Sequence, residues 1–186
     1  MVVTDDPLIA ERCRALRNLA FGAENRFCHE ALGWNFRMSN LQAAVGVAQT
    51  AQLDRFLSIK RAIGKRYTER LRDVQALQLP LESANMAENS YWVFGVILRD
   101  SFPVDAAMVM QSLSGRGVGT RPFFWPMHEQ PVLIKRGLVD YRRFPVAERI
   151  ARRGFYLPGG SGLSLAKVDE ACDVLIDVLA AAGASA

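Results

Sequence analysis

Lysine is scarce in this 186-residue chain, which has only Lys60, Lys65, Lys135 and Lys167. Lys60 and Lys65 lie in a charged helical stretch, Lys135 follows an apolar turn, and Lys167 starts the last helix. None occupies the small-residue loop in which a lysine nucleophile is usually held. Cysteine and histidine are scarcer: Cys13, Cys28 and Cys172, then His29 and His128. Three widely separated cysteines exclude a paired disulfide framework, and the lack of CxxC or HxxxH spacing leaves no metal ligand set. No GxSxG elbow supports hydrolase chemistry. No apolar run approaches the ~20 residues of a membrane helix. Met1 to Asp6 lacks the basic and apolar regions of a secretory signal, so a reduced, cytoplasmic setting is expected.

Half of the residues are hydrophobic and 23 % are charged, with a formal net charge of +4. This is the composition of a globular domain, or of one small domain with part of another. The basic residues come as scattered pairs, such as Lys60-Arg61, Arg142-Arg143 and Arg152-Arg153. Pairs of this kind sit on solvated helix faces or attract an acidic partner such as a nucleotide diphosphate. They form no single basic face and match no nucleic-acid motif, which puts nucleic-acid binding last.

Asp5-Asp6-Pro7 starts a helix that apolar spacing carries to about residue 20. Residues 21–38 lose that periodicity and hold Gly22, Asn25, His29, Gly33 and Asn35, as a functional loop does. Ser39 and Gln42 form a capping box, and the apolar stripe behind them predicts one long helix to about residue 75. Leu77 to Asn89 reads as a polar connection. Tyr91 to Leu98 is the best strand, being aromatic and β-branched almost throughout. A helix over 104–113, capped by Asp105 or the turn before it, leads to a strand over 118–121. Helix 146–153, an extended Phe155-Tyr156-Leu157-Pro158, a glycine turn and a helix from Ser164 to about residue 182 complete the chain. This order implies α/β layering.

Two segments carry the chemistry. Gly33-Trp34-Asn35-Phe36-Arg37-Met38-Ser39 sets an amide and a guanidinium in a turn that opens into a helix, whose N-terminus suits an anion. Asn35 either reaches such an anion or bonds its own backbone. Arg37 either pairs with a phosphate or carboxylate through its forked donors or salt-bridges a neighbour. The second segment, Thr120-Arg121-Pro122-Phe123-Phe124-Trp125-Pro126-Met127-His128, sets Arg121 and His128 among aromatic rings in a proline-stiffened loop. Rings that cover apolar sugar faces and a guanidinium that meets diphosphate suit a nucleotide-linked sugar. The alternative is a core-facing aromatic cluster with His128 bonded to a backbone carbonyl.

Together these segments resemble the C-terminal part of the pyridoxal-phosphate-dependent sugar aminotransferases, the DegT/DnrJ/EryC1/StrS family, with the 120–128 wording closest to its perosamine-synthase branch. The resemblance covers the whole chain. It implies an α/β fold, the small C-terminal domain of a fold-type I aminotransferase with a long helix and a remnant of the large domain. Residues 1–38 would be the end of the large cofactor-binding domain with its active-site loop, and residues 39–186 the small domain. Asn35 matches the position whose amide reaches the phosphate of pyridoxal 5'-phosphate in the opposite subunit. Arg37, Arg121, Phe123 and His128 fall on the substrate side. The family's Schiff-base lysine lies upstream of the residue at which this chain begins, so the resemblance implies a partial enzyme, inactive alone. The implied partners are a nucleotide-linked 4-keto-6-deoxy sugar, an amino donor such as glutamate, and a second subunit in a homodimer or a full-length relative. The rival from another class is a non-catalytic binding module derived from the same family.

Overall fold

Asp6 begins the first helix as expected: one carboxylate oxygen accepts from the N–H groups of Leu8 and Ile9 at 2.8 and 3.3 Å. The computed structural model describes residues 2–21, 27–29, 31–140 and 142–184. Gly22 and Asn25 of the predicted loop lie outside the described residues. The chain forms two compact units, Met1–Leu53 and Asp54–Ala186.

In the first unit, α1 (Pro7–Arg17) stops at Asn18. Leu19 and Ala20 follow with φ of 63° and 53°, a left-handed pair that costs energy in residues with a Cβ. The pair turns the chain so that Leu19 N–H donates to the Trp34 carbonyl at 3.0 Å, while Trp34 N–H donates to Leu16 at 2.8 Å and Phe36 N–H to Arg17 at 3.0 Å. Residues 34–36 are thereby pinned beside the end of α1. Gly33 is required there, because a Cβ would lie 2.3 Å from Ala20 N and 2.4 Å from the Leu19 carbonyl carbon.

The second helix, α2 (Asn40–Thr50), has the full capping box: Gln42 N–H donates to Ser39 Oγ, and Ser39 N–H to Gln42 Oε1 at 2.8 Å. The predicted single helix is instead two. Residues 51–52 form a turn, and α3 (Leu53–Leu71) follows. Thr50 Oγ1 donates to the Gly46 carbonyl at 2.8 Å, and Gln52 N–H takes the tighter i→i−3 bond to Gln49. That shift from i→i−4 to i→i−3 bonding closes the last turn of α2. No described residue of the first unit is buried, and Leu41, Val45 and Val47 of the uncharged α2 are exposed.

The second unit is built on a four-stranded antiparallel sheet in the order β1 (Leu77–Gln78), β4 (Phe94–Leu98), β6 (Gly154–Leu157), β5 (Arg121–Pro122). Phe94 faces Leu157 and Val96 faces Phe155 across the central pair. These residues point to one side, into a core with Tyr67 and Leu71 of α3, Val109 and Leu113 of α4 (Ala106–Gly115), and Val168, Cys172 and Leu175 of α7 (Leu165–Ala184). Of the two caps expected for α4, Asp105 is the one used, accepting from Met108 N–H at 3.0 Å. Burial pushes the Cys172 thiol up to about 11, which makes it a core residue rather than a nucleophile. A bidentate Arg66–Asp169 pair, both contacts 2.8 Å, ties α3 to α7.

Three further differences have local causes. The strand begins at Phe94 rather than Tyr91, because Tyr91 has φ of 48° and turns its ring onto Gly64 of α3, where a Cβ would lie 2.3 Å from it. The polar connection contains a hairpin, β2 (Ser83–Ala84) with β3 (Ala87–Glu88), turned by Asn85 at φ 51°. Pro131 starts a short helix, α5 (Pro131–Lys135), before α6 (Pro145–Arg153).

Candidate functional site

Each unit carries one set of candidate residues. In the first unit Trp34 and Phe36 stack at 6.2 Å with their planes 6° apart. Residues two apart in an extended segment share a side, so Asn35 and Arg37 project to the opposite one. The backbone of Asn35 bridges to Asn18. Its exposed carboxamide has no hydrogen-bond partner among the described residues, so it does not bond its own backbone there. Arg37 Nη1 makes one long bond of 3.4 Å to Asn18 Oδ1 and forms no ion pair with a described residue. An open amide and a largely open guanidinium on one side of a pinned segment form a donor pair for an oxyanion. His29 instead bonds the Leu19 carbonyl at 2.9 Å, which makes it part of the turn.

In the second unit the aromatic segment lies on the sheet face opposite the helical core. Gly95 and Tyr156 pair across β4 and β6, and so do Ile97 and Gly154. A Cβ at Gly95 would lie 2.7 Å from the Phe123 ring, and one at Gly154 would lie 2.4 Å from it. Phe123 therefore fills a slot left by two glycines, with its ring 4.6 Å from Tyr156. Phe124 and Trp125 remain exposed. Arg121, opposite Tyr156 in β5, is exposed, and its guanidinium has no partner among the described residues. Of the predicted substrate residues, Arg121 is thus the open charge and Phe123 the docked one.

His128 lies in a 3-10 turn, Met127–Glu129, with its side chain only 14 % exposed. Its Nε2 lies 3.3 Å from Glu148 Oε1, and its ring is 4.8 Å from Phe144. The partner is thus a carboxylate on α6 and not a backbone carbonyl. Glu148 is 7 % exposed, the one buried charged residue among those described. It also accepts from Arg143 Nη2 at 2.6 Å and from the Phe144 N–H at 2.9 Å. Arg143, then the Phe144 N–H and then His128 hold its carboxyl at about 2, below its ordinary 4.5. One turn further along α6, Arg152 donates to both Glu129 oxygens at 3.0 Å and lies 5.1 Å above the Trp125 ring. Glu129, Arg143, Glu148 and Arg152 line a shallow cleft of about 570 Å³ with Pro145 and Arg149.

A depressed carboxyl contributes stability that is present above its unfolded value and is lost as pH falls through the folded one. The loss due to Glu148 therefore falls between about pH 4.5 and pH 2. Asp169, lowered first by its Arg66 hydrogen bond, acts in the same direction. Glu148→Gln is expected to flatten the acid limb of stability, measured as denaturant midpoints at about pH 5 and pH 3. Equal losses in both proteins would contradict this.

His128, Glu129 and Glu148 place ligand-type atoms within 4.8 Å of one another, a cluster the sequence does not announce. Both carboxylates are already engaged by guanidinium groups, so charge balance favours the ion-pair network over metal capture. Among the described residues no helix is long and apolar enough to cross a membrane. Lys60 Nζ donates to the carbonyls of Trp92 and Gly159 at 2.8 and 2.5 Å, and Lys167 pairs with Glu170 at 2.6 Å. Lys65 and Lys135 are exposed on helices.

Glu148 carries no mark of this role in the sequence, where Arg143 and Arg152 stand only as members of basic pairs. The available signal was the i, i+4 spacing of Glu148 and Arg152, which puts both on one helix face. An isolated glycine inside the best strand, Gly95, is a second signal, because it marks a close approach.

The chain is similar to the GDP-perosamine synthase of Vibrio cholerae, 34 % identical over 175 residues that cover 94 % of this chain and 47 % of that one. It is 30 % identical to the GDP-perosamine synthase of Escherichia coli O157:H7, covering 93 % of this chain and 45 % of that one. The aminotransferase TlmJ from Streptoalloteichus hindustanus matches with a TM-score of 0.82 and 27 % identity, over 95 % of this chain and 46 % of that one. The chain thus spans about half the length of these relatives, and its fold is the α/β C-terminal part of such aminotransferases. The family's sequence pattern extends over residues 1–176, and the chain belongs to the DegT/DnrJ/EryC1/StrS aminotransferase family.

Proposed function

We infer that this chain supplies the cofactor-phosphate side and the nucleotide-sugar side of a pyridoxal-phosphate-dependent sugar aminotransferase. The reaction would move an amino group, with glutamate as donor, onto a nucleotide-linked 4-keto-6-deoxy sugar of the GDP-perosamine type. The similarity to two GDP-perosamine synthases supports this choice of sugar and nucleotide. When bound, pyridoxal phosphate supplies the electron-accepting ring that such chemistry needs. Asn35, open among the described residues, and Arg37, with one long bond to Asn18, are donors that each suit an anionic group. Asn35 is assigned to the phosphate of a cofactor held by the opposite subunit, and Arg37 to the substrate.

The observation that carries the reading of the second unit is an exposed Arg121, without a partner among the described residues, three and four positions before exposed Phe124 and Trp125. Arg121 is assigned to the substrate diphosphate. Phe123 and His128 stay on the substrate side as residues that hold the loop in place. None of the four lysines fits the cofactor linkage, so the chain alone is taken as inactive and the lysine as supplied by another part of the enzyme. The exposed apolar positions of α2 suit coverage by a partner subunit in a homodimer or with a full-length relative. The boundary at residue 38, between a large-domain remnant and the small domain, belongs to the same reading.

The test is Arg121→Ala in the complete enzyme. It is expected to raise the Michaelis constant for the GDP-linked sugar about tenfold or more, with the turnover number little changed, as for loss of a charge-assisted bond to substrate. An unchanged Michaelis constant with lost cofactor would contradict the assignment.

A further inference from the structure

We propose that Glu148 is a positioning residue, the point from which α6 holds the aromatic loop in the shape that presents Phe124 and Trp125 to a ligand. Three groups from two parts of the chain converge on its carboxylate: His128 from the 3-10 turn, then Arg143 and the backbone N–H of Phe144 at the start of α6. A buried carboxylate must have such partners to remain charged. Arg152, four residues on and on the same helix face, reverses the polarity and takes Glu129, the residue after His128. The helix thus presents a negative and then a positive group, and the loop answers with an imidazole and then a carboxylate. A slip of the loop by one residue would face Glu148 with Glu129 and break both contacts, so the pair fixes the loop's register as well as its attachment. Phe123 in its glycine slot fixes the other end. Between these anchors only Phe124, Trp125, Pro126 and Met127 remain, and of these Pro126 is buried. The ligand-facing surface is therefore set by α6, although Glu148 itself faces inward.

This rests on the reading of the loop as ligand-facing, and the first arm of the test is independent of that reading. Amide hydrogen exchange of residues 123–131 is compared in the unsubstituted protein, Glu148→Gln, His128→Gln and the double variant. Loss of the grip is expected to speed exchange there about tenfold or more in each single variant. The double variant should add little, because both changes open the same contact. Arg149→Gln, on α6 but paired with Asp100 at 2.7 Å, should leave the loop unchanged. If Glu148→Gln does not fold, His128→Gln alone must open the loop while α6 stays protected. Unchanged loop exchange in His128→Gln, or additive effects shared equally by α6, would overturn the proposal and leave Glu148 as a helix cap only. In the second arm, calorimetric affinity for GDP should fall about tenfold in Glu148→Gln. No GDP binding by the unsubstituted protein would sink the ligand reading, whereas the exchange arm would still decide the role of Glu148.

Discussion

Gly154→Ala is expected to destabilise the second unit by about 3 kcal/mol, at the upper end of what an added methyl does in a filled site. The methyl would meet two groups at once: the Phe123 ring at 2.4 Å and the Ile150 carbonyl oxygen at 2.6 Å. The ring could swing aside, but the carbonyl belongs to the last turn of α6 and can yield only if the helix moves. Gly95→Ala meets the ring at 2.7 Å and no backbone within that range, so its cost should be smaller. It should also vanish in part when combined with Phe123→Ala, which empties the slot. Gly115→Ala, with nothing within 4 Å of the added atom, is the control and should stay near neutral. Denaturant unfolding monitored by circular dichroism ranks the three. Equal effects at positions 154 and 115 would mean that the slot does not hold Phe123.

Asn35→Ala in the complete enzyme should weaken retention of pyridoxal phosphate by about ten- to a hundredfold, the loss of a bond to a charged group worth ~1.5–3 kcal/mol. The affinity for the sugar should change less. The size of the effect depends on preorganisation, because the amide is carried on a segment fixed by three backbone hydrogen bonds to the end of α1. Gly33→Ala should approach the same loss without touching the amide, since its Cβ would displace Leu19 and Ala20. Equilibrium dialysis of the cofactor measures both. Full retention in Asn35→Ala would remove Asn35 from the phosphate site.

Much of this arrangement was legible in the chain because the signals are local. Asp6, Ser39 with Gln42, and Asp105 are capping side chains within three residues of the groups they satisfy, and each caps its helix as read. The failures have non-local or competing causes. The stripe from Leu41 to Val74 has the right period for one helix, but the backbone takes an i→i−3 bond at Gln52 and the helix breaks at residue 51. The hairpin at 83–88 contains no β-branched residue, and its one cue is Asn85 in a left-handed turn. His128 was singled out as a polar group among rings, but its partner, Glu148, stands twenty residues away on another element. Spacing cannot reveal such a pairing before the sheet order is known. Arg121 and Asn35 were legible as residue types, and the structure adds that both side chains are open among the described residues.

The central claim is that this chain contributes phosphate and substrate contacts but no lysine for the cofactor linkage. Its most direct test is to mix the protein with pyridoxal phosphate, reduce with borohydride and map labelled lysines by mass spectrometry. The account predicts, at most, weak and distributed labelling of the exposed Lys65, Lys135 and Lys167, with Lys60 protected by its two carbonyl partners. Stoichiometric labelling of one lysine, with a visible absorption band that reduction abolishes, would contradict it.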